Sequence, residues 1–278
     1  MRLSSLPLER STVHCPRGLN IVVYICLAMS ISRQPIVSQE YAGNFPFVSV
    51  ITPTYNRRRF IPQLIDCYKA QKYPKARMEW IILDDGSDPV GDLFKGLDIP
   101  NLHYVYLQEK LTIGAKRNLL NKKSCGDVIV AMDDDDYYPP ERVSAVITAF
   151  KQKPSYELAG ASEIYMYYSD IKVIYKLGPY HVNHATNGTM AWKRRYADTH
   201  LYDETVTHAE EKSFLEGYKH PMIQLDPLKV MLVMSHSDNT FDKTKMRENE
   251  DNPMIKKTVK KLRDFIKDSK AREFFATA

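Results

Sequence analysis

The sequence has few of the residues and patterns that mark several common classes of protein. Its four cysteines are scattered over 278 residues without a Cys-x-x-Cys pair, which favours a reducing compartment over a disulfide framework or a zinc site. No apolar run reaches the roughly 20 residues that a membrane-spanning helix needs. Neither G-x-G-x-x-G nor G-x-x-x-x-G-K-[ST] occurs, so neither a dinucleotide fold nor a P-loop NTPase is supported.

The composition is that of a globular protein. Hydrophobic residues make up 44% of the chain and charged residues 26%, too apolar a balance for a disordered protein. No linker divides the central part, so we predict one domain over 46–241. The net charge of +5 arises mostly in 242–278, predicted to be a basic helical tail. A charge of this size is weak evidence for a nucleic-acid partner, and we predict none.

The first 45 residues are ambiguous. An apolar run over Ile21–Ser32 follows three arginines, which is compatible with a weak hydrophobic segment or a signal sequence. Another interpretation is that translation begins at Met29 and that the leader has no role. We predict a disordered leader over 1–45 and a cytoplasmic protein. Contact with a membrane surface and the oligomeric state are left open.

Strand and helix patterns alternate in the first half of the domain. Strands are predicted at Phe47–Thr52, Glu79–Leu83, Leu102–Leu107 and Asp127–Met132, and helices at Arg58–Gln71, Ile113–Lys123 and Pro140–Lys151. This order predicts an α/β fold with a mostly parallel central sheet flanked by helices.

The second half is less regular and predicts a smaller antiparallel element. The predicted segments are an antiparallel pair formed by Tyr156–Tyr168 and Ile171–Leu177, a strand at Thr189–Trp192, a helix at Ala209–Tyr218, a strand at Val230–Met234 and a terminal helix with the apolar stripe Ile255, Val259, Leu262 and Ile266.

Polar residues follow three of the predicted parallel strands. These loops are Pro53–Asn56, Asp84–Asp88 and Asp133–Asp136. Ligands bind beyond the carboxyl ends of such strands, so we expect the loops to converge on one site. Four adjacent carboxylates favour a hard divalent cation, Mn²⁺ or Mg²⁺. In an extended segment Asp133 and Asp135 would point to the same side.

Other residues have two interpretations each. Lys116 and Arg117 begin a predicted helix, where they would either face a pyrophosphate or form a solvated basic surface. Trp192 would either present its ring to a ligand or belong to the core. His181 and His184 show no helical pattern, and we assign no metal to them.

Taken together, these strings resemble the family 2 glycosyltransferases, which have the nucleotide-sugar-binding GT-A fold. The matching strings are Val48–Asn56, Asp84–Ser87, Arg117–Asn118 and Asp133-x-Asp135-Asp136 with Pro140 after it. The resemblance covers Phe47–Val143 firmly and Asn187–Asn239 more loosely. It implies transfer of a sugar from a nucleotide-diphosphate donor, with UDP the expected carrier, to a hydroxyl of a glycan or glycoconjugate acceptor, with the help of Mn²⁺ or Mg²⁺.

The resemblance also implies roles for individual residues. Donor-binding positions are Pro53, Tyr55, Asn56, Asp84, Asp85, Arg117 and Asp134, with Tyr55 available to stack on the base and Asp84 supporting its loop. Metal-binding positions are Asp133, Asp135 and His236. A histidine after a strand is also often only hydrogen-bonded.

The general base is expected in the pair Glu210-Glu211. Glu211 matches the family's base position, but the family more often has Glu-Asp there, so the choice between the two glutamates stays open. Acidic residues in a first helical turn also simply favour the helix dipole. The resemblance implies an inverting, direct displacement. The alternatives are a non-catalytic nucleotide-sugar or polysaccharide-binding module, and a nucleotidyltransferase, which the lack of a Gly-rich loop after the first strand disfavours.

Overall fold

The computed structural model describes residues 11–14, 20–23, 45–237, 239, 243–248 and 252–277. The strands are β1 (Ser11–His14), β2 (Asn20–Val23), β3 (Val48–Thr54), β4 (Met78–Asp84), β5 (Leu102–Tyr106), β6 (Val128–Ala131), β7 (Leu158–Gly160), β8 (Ile164–Tyr168), β9 (Val173–Leu177), β10 (Ala191–Lys193), β11 (Met222–Gln224), β12 (Leu232–Ser235) and β13 (Ile255–Lys257). The helices are α1 (Ile61–Lys69), α2 (Ile113–Lys123), α3 (Arg142–Gln152), α4 (Arg194–Ala197), α5 (Glu211–Phe214), α6 (Thr244–Glu248), α7 (Leu262–Phe265) and α8 (Ser269–Thr277).

A seven-stranded sheet forms the centre of the domain. Its order is β11-β7-β10-β6-β3-β4-β5, and every neighbouring pair is parallel except the two that β10 makes with β6 and β7. Every residue of β3 and β4 is buried, as expected for parallel strands covered on both faces. The mostly parallel sheet predicted from the alternating pattern is confirmed.

A second, four-stranded sheet contains the predicted antiparallel pair. Its order is β12-β8-β9-β13, with β8 antiparallel to β9. The strand predicted over Tyr156–Tyr168 is divided, because its first part, β7, belongs to the central sheet. A stretch of apolar residues does not show where the chain passes from one sheet to the other.

The predicted terminal helix is wrong. Ile255 lies in β13, which pairs antiparallel with β9 and forms the edge of the four-stranded sheet, and Val259 is 93% exposed. Leu262 begins the four-residue helix α7, and the following α8 buries Phe275 against the ring of Tyr137, with 6.0 Å between the ring centroids. Pairing with an available sheet edge therefore overrides a weak helical periodicity.

Helix α5 is shorter than the predicted Ala209–Tyr218. Ala209, Glu216 and Tyr218 adopt positive φ angles of 52°, 47° and 66°, which a continuing right-handed helix does not allow.

The disordered leader over 1–45 stays a prediction. Strands β1 and β2 pair antiparallel where the sequence predicted no regular structure, and the remainder of 1–44 lies outside the described residues. No helix within the described part of the chain is both long and apolar enough to cross a bilayer.

Candidate functional site

The loops that follow β3, β4 and β6 meet at the carboxyl edge of the central sheet, together with the start of α2. A cavity of about 190 Å³ lies at this edge. The loops after β3 and β6 and the start of α2 line it with Pro53, Thr54, Tyr55, Arg57, Ile113, Lys116, Arg117, Asp133, Asp134 and Asp135. The predicted convergence at one sheet edge is confirmed. A larger cavity of about 490 Å³, bordered by residues of α2 and α4, contains none of the predicted site residues.

Asp84 builds the loop after β4. Its buried carboxylate accepts hydrogen bonds from the backbone N–H groups of Gly86 and Val90, both at 2.9 Å, and from the Tyr104 hydroxyl at 2.6 Å. A carboxylate with three donors is fixed in place and has little freedom to bind a ligand. Asp84 therefore supports the loop, as the resemblance implied.

Asn56 joins the loops after β3 and β4. At φ 54°, its side-chain Oδ1 accepts from the backbone N–H of Asp88 at 3.1 Å and from the hydroxyl of Ser87 at 3.2 Å. A Cβ atom added to Gly86 would lie 2.7 Å from the Asn56 backbone nitrogen, so this close approach needs glycine. Asn56 thus has a loop-joining position at the rim of the site.

Asp85 is paired with Lys116. The fully buried Asp85 carboxylate accepts from Lys116 Nζ at 2.8 Å through Oδ1 and from the backbone N–H of Leu111 at 2.8 Å through Oδ2. The Tyr55 ring lies close by, with Lys110 Nζ 4.0 Å from its centroid. Lys116 is only 6% exposed, so the solvated-surface interpretation of this lysine is wrong.

Arg117 connects the loop after β6 to the start of α5. Its Nη1 donates to Asp133 Oδ1 at 3.1 Å and its Nε donates to Glu210 Oε1 at 2.7 Å, and the residue is 4% exposed. Burial lowers the pKa of the guanidinium, but the carboxylates of Asp133 and Glu210 more than offset this and hold that pKa above its ordinary value. Arg117 is therefore a buried cation at the junction of two predicted site segments.

The aspartates after β6 do not form an extended strand. Asp134 and Asp135 lie in a turn, so the expected alternation of an extended segment is wrong, and Asp134 lines the same cavity as Asp133 and Asp135. Asp135 Oδ2 lies 3.3 Å from His236 Nε2 and accepts from Asn239 Nδ2 at 3.2 Å. Asp136 accepts from the backbone N–H of Met234 at 2.8 Å. The turn thus gives each carboxylate a different partner.

Burial and mutual repulsion shift the pKa values of these carboxylates. Burial, and next the charge of Asp135, raise the pKa of Asp134 to about 8. Burial also raises the pKa of Asp136 to about 7. Burial opposes ionisation of Asp135 too, but the hydrogen bond with His236 and the charge of Lys243 hold its pKa below the usual range. The cluster therefore favours a neighbouring cation.

The predicted metal set is united only in part. Asp135 and His236 lie together, whereas Asp133 is turned toward Arg117. Among the described residues, Asp133, Asp135 and His236 do not bring three ligand atoms within 4.8 Å of one another. The carboxylate oxygens of the aspartates and the imidazole nitrogen of His236 nevertheless form a donor set that suits Mn²⁺ or Mg²⁺. Asp133, Asp134 and Asp135 line one cavity. The residues present fit such an ion.

The two glutamates at the start of α5 differ in environment. Glu210 accepts from Arg117, whereas burial, and next the charge of Glu210, raise the pKa of Glu211 to about 7. Glu211 is 9% exposed, so it combines limited access to solvent with a pKa close to neutral pH.

A comparison with protein families identifies the family of this chain. The family model described as Glycosyl transferase family 2 matches residues 49–198, more than half of the chain. The chain belongs to this family. The region matched by the family model includes the loops after β3, β4 and β6 and the start of α2.

Curated relatives of this family 2 glycosyltransferase match over shorter stretches. The glycosyltransferase AglE of Haloferax volcanii is 31% identical over 96 residues, which are 34% of this chain and 32% of the relative. TarS of Staphylococcus aureus, a poly(ribitol-phosphate) beta-N-acetylglucosaminyltransferase, is 30% identical over 101 residues, which are 34% of this chain and 17% of the relative. The chain spans less than half the length of the curated relatives it matches.

Solved structures share the fold. The mannosyltransferase PcManGT from Pyrobaculum calidifontis, solved with GDP-Man and Mn²⁺, superimposes with a TM-score of 0.53 at 17% identity, covering 70% of this chain and 59% of that one. TarS 1–349 of S. aureus, solved with UDP-GlcNAc, gives a TM-score of 0.52 at 18% identity, covering 69% and 59%. The glycosyltransferase therefore has the GT-A fold.

Asn187 and Gly188 have positions in the site that the sequence did not predict. Asn187 is buried, and with its amide oxygen facing Arg117 it accepts from Nη1 at 2.7 Å while its nitrogen donates to the Tyr202 hydroxyl at 2.7 Å. A Cβ atom on Gly188 would lie 2.9 Å from Asp133 Oδ2, so glycine keeps room for that carboxylate. The spacing of residues in the sequence predicts neither contact, because both depend on where the turn after β6 lies in the fold.

Trp192 has the core role of its two interpretations. Its ring is fully buried and its Nε1 donates to Asn121 Oδ1 at 3.1 Å. A side chain without exposed surface is not available to stack on a sugar ring.

Proposed function

We propose that this glycosyltransferase moves a sugar from a UDP-sugar to a hydroxyl of a glycan or glycoconjugate, with inversion at the anomeric carbon and with the help of Mn²⁺ or Mg²⁺. The observation that carries the proposal is the single cavity lined by the loop after β3, by Lys116 and Arg117, and by Asp133–Asp135. Two proteins of the same fold support it, since one was solved with GDP-Man and Mn²⁺ and the other with UDP-GlcNAc.

The donor half of the proposed site uses the loops after β3 and β4. Pro53 and Tyr55 would line the base pocket, and Tyr55 offers a ring face for stacking. Asp85, held by Lys116, would recognise the base through its carboxylate oxygens. Asn56 would keep the two loops in register. In this arrangement Lys110, now over the Tyr55 ring, moves aside or covers the base.

The diphosphate half uses the carboxylate cluster. Asp133, Asp135 and His236 would hold the divalent ion, whose charge offsets that of the departing diphosphate and is worth several kcal/mol. Asp134 lines the same cavity and would lie beside the donor. Arg117, bonded to Asp133, would supply further positive charge near the phosphates.

Glu211 is proposed as the general base. Its carboxylate would take the proton of the acceptor hydroxyl while the hydroxyl oxygen forms a bond to the anomeric carbon. The bond from that carbon to the UDP oxygen breaks on the opposite face, so UDP leaves with the electron pair and the configuration inverts. Glu210 would act indirectly, by positioning Arg117 through their 2.7 Å hydrogen bond.

The stereochemistry of the product tests this proposal. We expect proton NMR of the product of an α-linked UDP-sugar, formed with Mn²⁺ and an acceptor glycan, to show a β-linkage. An α-linked product would overturn the inverting mechanism.

The compartment stays a prediction. The reducing cytoplasm that the scattered cysteines of the sequence favour is not tested by the structure. The glycan acceptor and the absence of a nucleic-acid partner also stay predictions.

A further inference from the structure

Two histidines and a glutamate form a cluster apart from the donor cavity. His220 Nε2 lies 3.2 Å from Glu216 Oε2, and His200 Nε2 lies 3.9 Å from Glu216 Oε1. All three residues offer a ligand atom within 4.8 Å of the other two, a condition met by no other group of three His, Cys, Asp or Glu in the part of the chain that the structure describes. None of the three lines the cavity at the sheet edge.

His200 is fixed in orientation by its surroundings. Its ring stacks on Tyr196 with centroids 3.9 Å apart and an interplanar angle of 1°, and its Nδ1 lies 3.0 Å from the Tyr196 carbonyl oxygen. Nδ1 also lies 2.9 Å from the Thr199 hydroxyl, which can donate or accept. When Nδ1 carries the proton and donates to the Tyr196 carbonyl, the lone pair of the neutral ring lies on Nε2, the nitrogen 3.9 Å from Glu216. A backbone carbonyl that accepts from the second ring nitrogen is the usual support of a metal-binding histidine.

The chain brings Glu216 and His220 to this place through the turn after α5. Glu216, Gly217 and Tyr218 all have positive φ angles, and the N–H of Gly217 donates to the carbonyl of Lys212 at 2.8 Å. The turn reverses the chain and puts Glu216 beside His220, while His200 comes from the segment after α4. Three ligands from two separate segments thus meet at one point.

The distances suit a small tetrahedral ion. Zinc–ligand bonds of about 2.0–2.2 Å place tetrahedral ligand atoms roughly 3.4 Å apart. The observed separations are 3.2 Å from His220 to one carboxylate oxygen of Glu216 and 3.9 Å from His200 to the other, and one ligand atom from each residue lies within 4.8 Å of the other two. Binding therefore needs the ligand atoms to draw together by at most about 1.4 Å. Side-chain exposures of 18% for His200, 52% for Glu216 and 29% for His220 leave a path for the ion and room for a water as fourth ligand.

We propose that His200, Glu216 and His220 bind Zn²⁺. Two imidazoles and one carboxylate suit zinc better than Mg²⁺ or Ca²⁺, which prefer oxygen ligands. The bound ion would link the segment after α4 to the turn after α5, five residues beyond Glu211, and would stabilise the fold there. This site stands independently of the proposed donor chemistry, because it shares no residue with it.

Zinc binding to the full chain, stripped of metal with a chelator, tests the proposal. Calorimetric titration with ZnCl₂ should detect an equivalent of zinc that is lost or bound at least tenfold more weakly in His220→Gln and in His200→Gln. Zinc at about 100 times its Kd should raise the Tm of the wild-type protein by about 5 °C, and this rise should be much smaller in both variants.

Two controls separate this site from others. His103→Gln removes an exposed imidazole on β5 and should leave the zinc equivalent intact. Asp135→Asn alters the proposed donor site and should also leave it intact. Equal zinc affinity in wild type, His220→Gln and His200→Gln would overturn the site, as would loss of the same equivalent in Asp135→Asn. If circular dichroism shows that one histidine variant is unfolded, the other, or Glu216→Gln, decides the question in the same way.

Discussion

Neighbouring residues of one kind acquire different properties in this protein. Glu210 and Glu211 are adjacent glutamates, yet Glu210 is bonded to the Arg117 guanidinium while Glu211 has a pKa raised to about 7 by burial and by the charge of Glu210. A general base works best when its pKa is near the working pH. The sequence left the choice between them open, because the partner that distinguishes them, Arg117, is 93 residues away in the chain.

Replacing Glu211 by Gln tests the assigned base. Since Gln accepts no proton, we expect kcat to fall by about 10²–10⁴-fold while the Kd for the donor changes less than about threefold. Glu273→Gln, an exposed glutamate on α8, is the matched control and should keep normal turnover. Near-normal kcat in the Glu211 variant, with correct folding, would show that another group takes the proton.

The raised pKa of Glu211 predicts a pH profile. Because the base must be deprotonated, wild-type kcat should rise as pH increases through about 7 and level off above it. Initial rates at saturating donor between pH 5.5 and 8.5 measure this. A profile that is flat across this range would contradict the assignment, and so would activity that falls as the pH rises through 7.

Asp85 and Lys116 form a buried pair whose separation should be costly. Lys116→Met leaves the buried Asp85 carboxylate without its ion partner, which is expected to cost about 3–5 kcal/mol in the free energy of unfolding. The double variant Asp85→Asn with Lys116→Met removes both charges and should be the more stable of the two. Urea unfolding measures both. A loss below 1 kcal/mol in Lys116→Met would contradict a closely coupled pair.

At the scale of secondary-structure elements, the first half of the domain could be predicted from its sequence. Strands β3, β4 and β6 are apolar runs buried on both faces, and α2 has the bounds that its pattern predicted. The second half could not, because its short elements are set by tertiary contacts. β13 forms by pairing with the side of β9 that β8 does not cover, and α5 ends because the chain turns into positive φ at Glu216.

The packing of α8 gives a test of this difference. Phe275 is 2% exposed, so Phe275→Ala should lower the free energy of unfolding by about 3–5 kcal/mol. Val259, a member of the predicted but incorrect helical stripe, is 93% exposed, so Val259→Ala should change it by less than about 0.5 kcal/mol. Urea unfolding of both variants measures this, and equal losses would contradict the observed arrangement of the C-terminal segment.

The site, like the fold, could be predicted from the sequence only in part. The three loops could be predicted because strand ends of a parallel sheet meet at one edge. The partners of the aspartates could not, since a turn replaces the extended segment after β6 and directs Asp133 to Arg117 and Asp135 to His236. Side-chain direction in a turn depends on backbone angles that residue order alone does not specify.

At the scale of the whole molecule, the GT-A fold is common to proteins only 17–18% identical to this chain. The family model covers most of the central sheet and includes the loops after β3, β4 and β6. The acceptor is therefore expected to be determined by the less regular part that follows residue 198, where the pattern of the sequence is weakest.

The central claim is that carboxylates near Asp135 hold a divalent ion that binds the donor diphosphate. Calorimetric titration with UDP, in Mn²⁺ and then in excess chelator, tests it most directly. The account predicts at least tenfold tighter UDP binding with Mn²⁺ in the wild type and in the control Asp98→Asn, an exposed aspartate, and loss of that gain in folded Asp135→Asn. UDP binding that is equally tight with and without Mn²⁺, or an unchanged gain in Asp135→Asn, would contradict it.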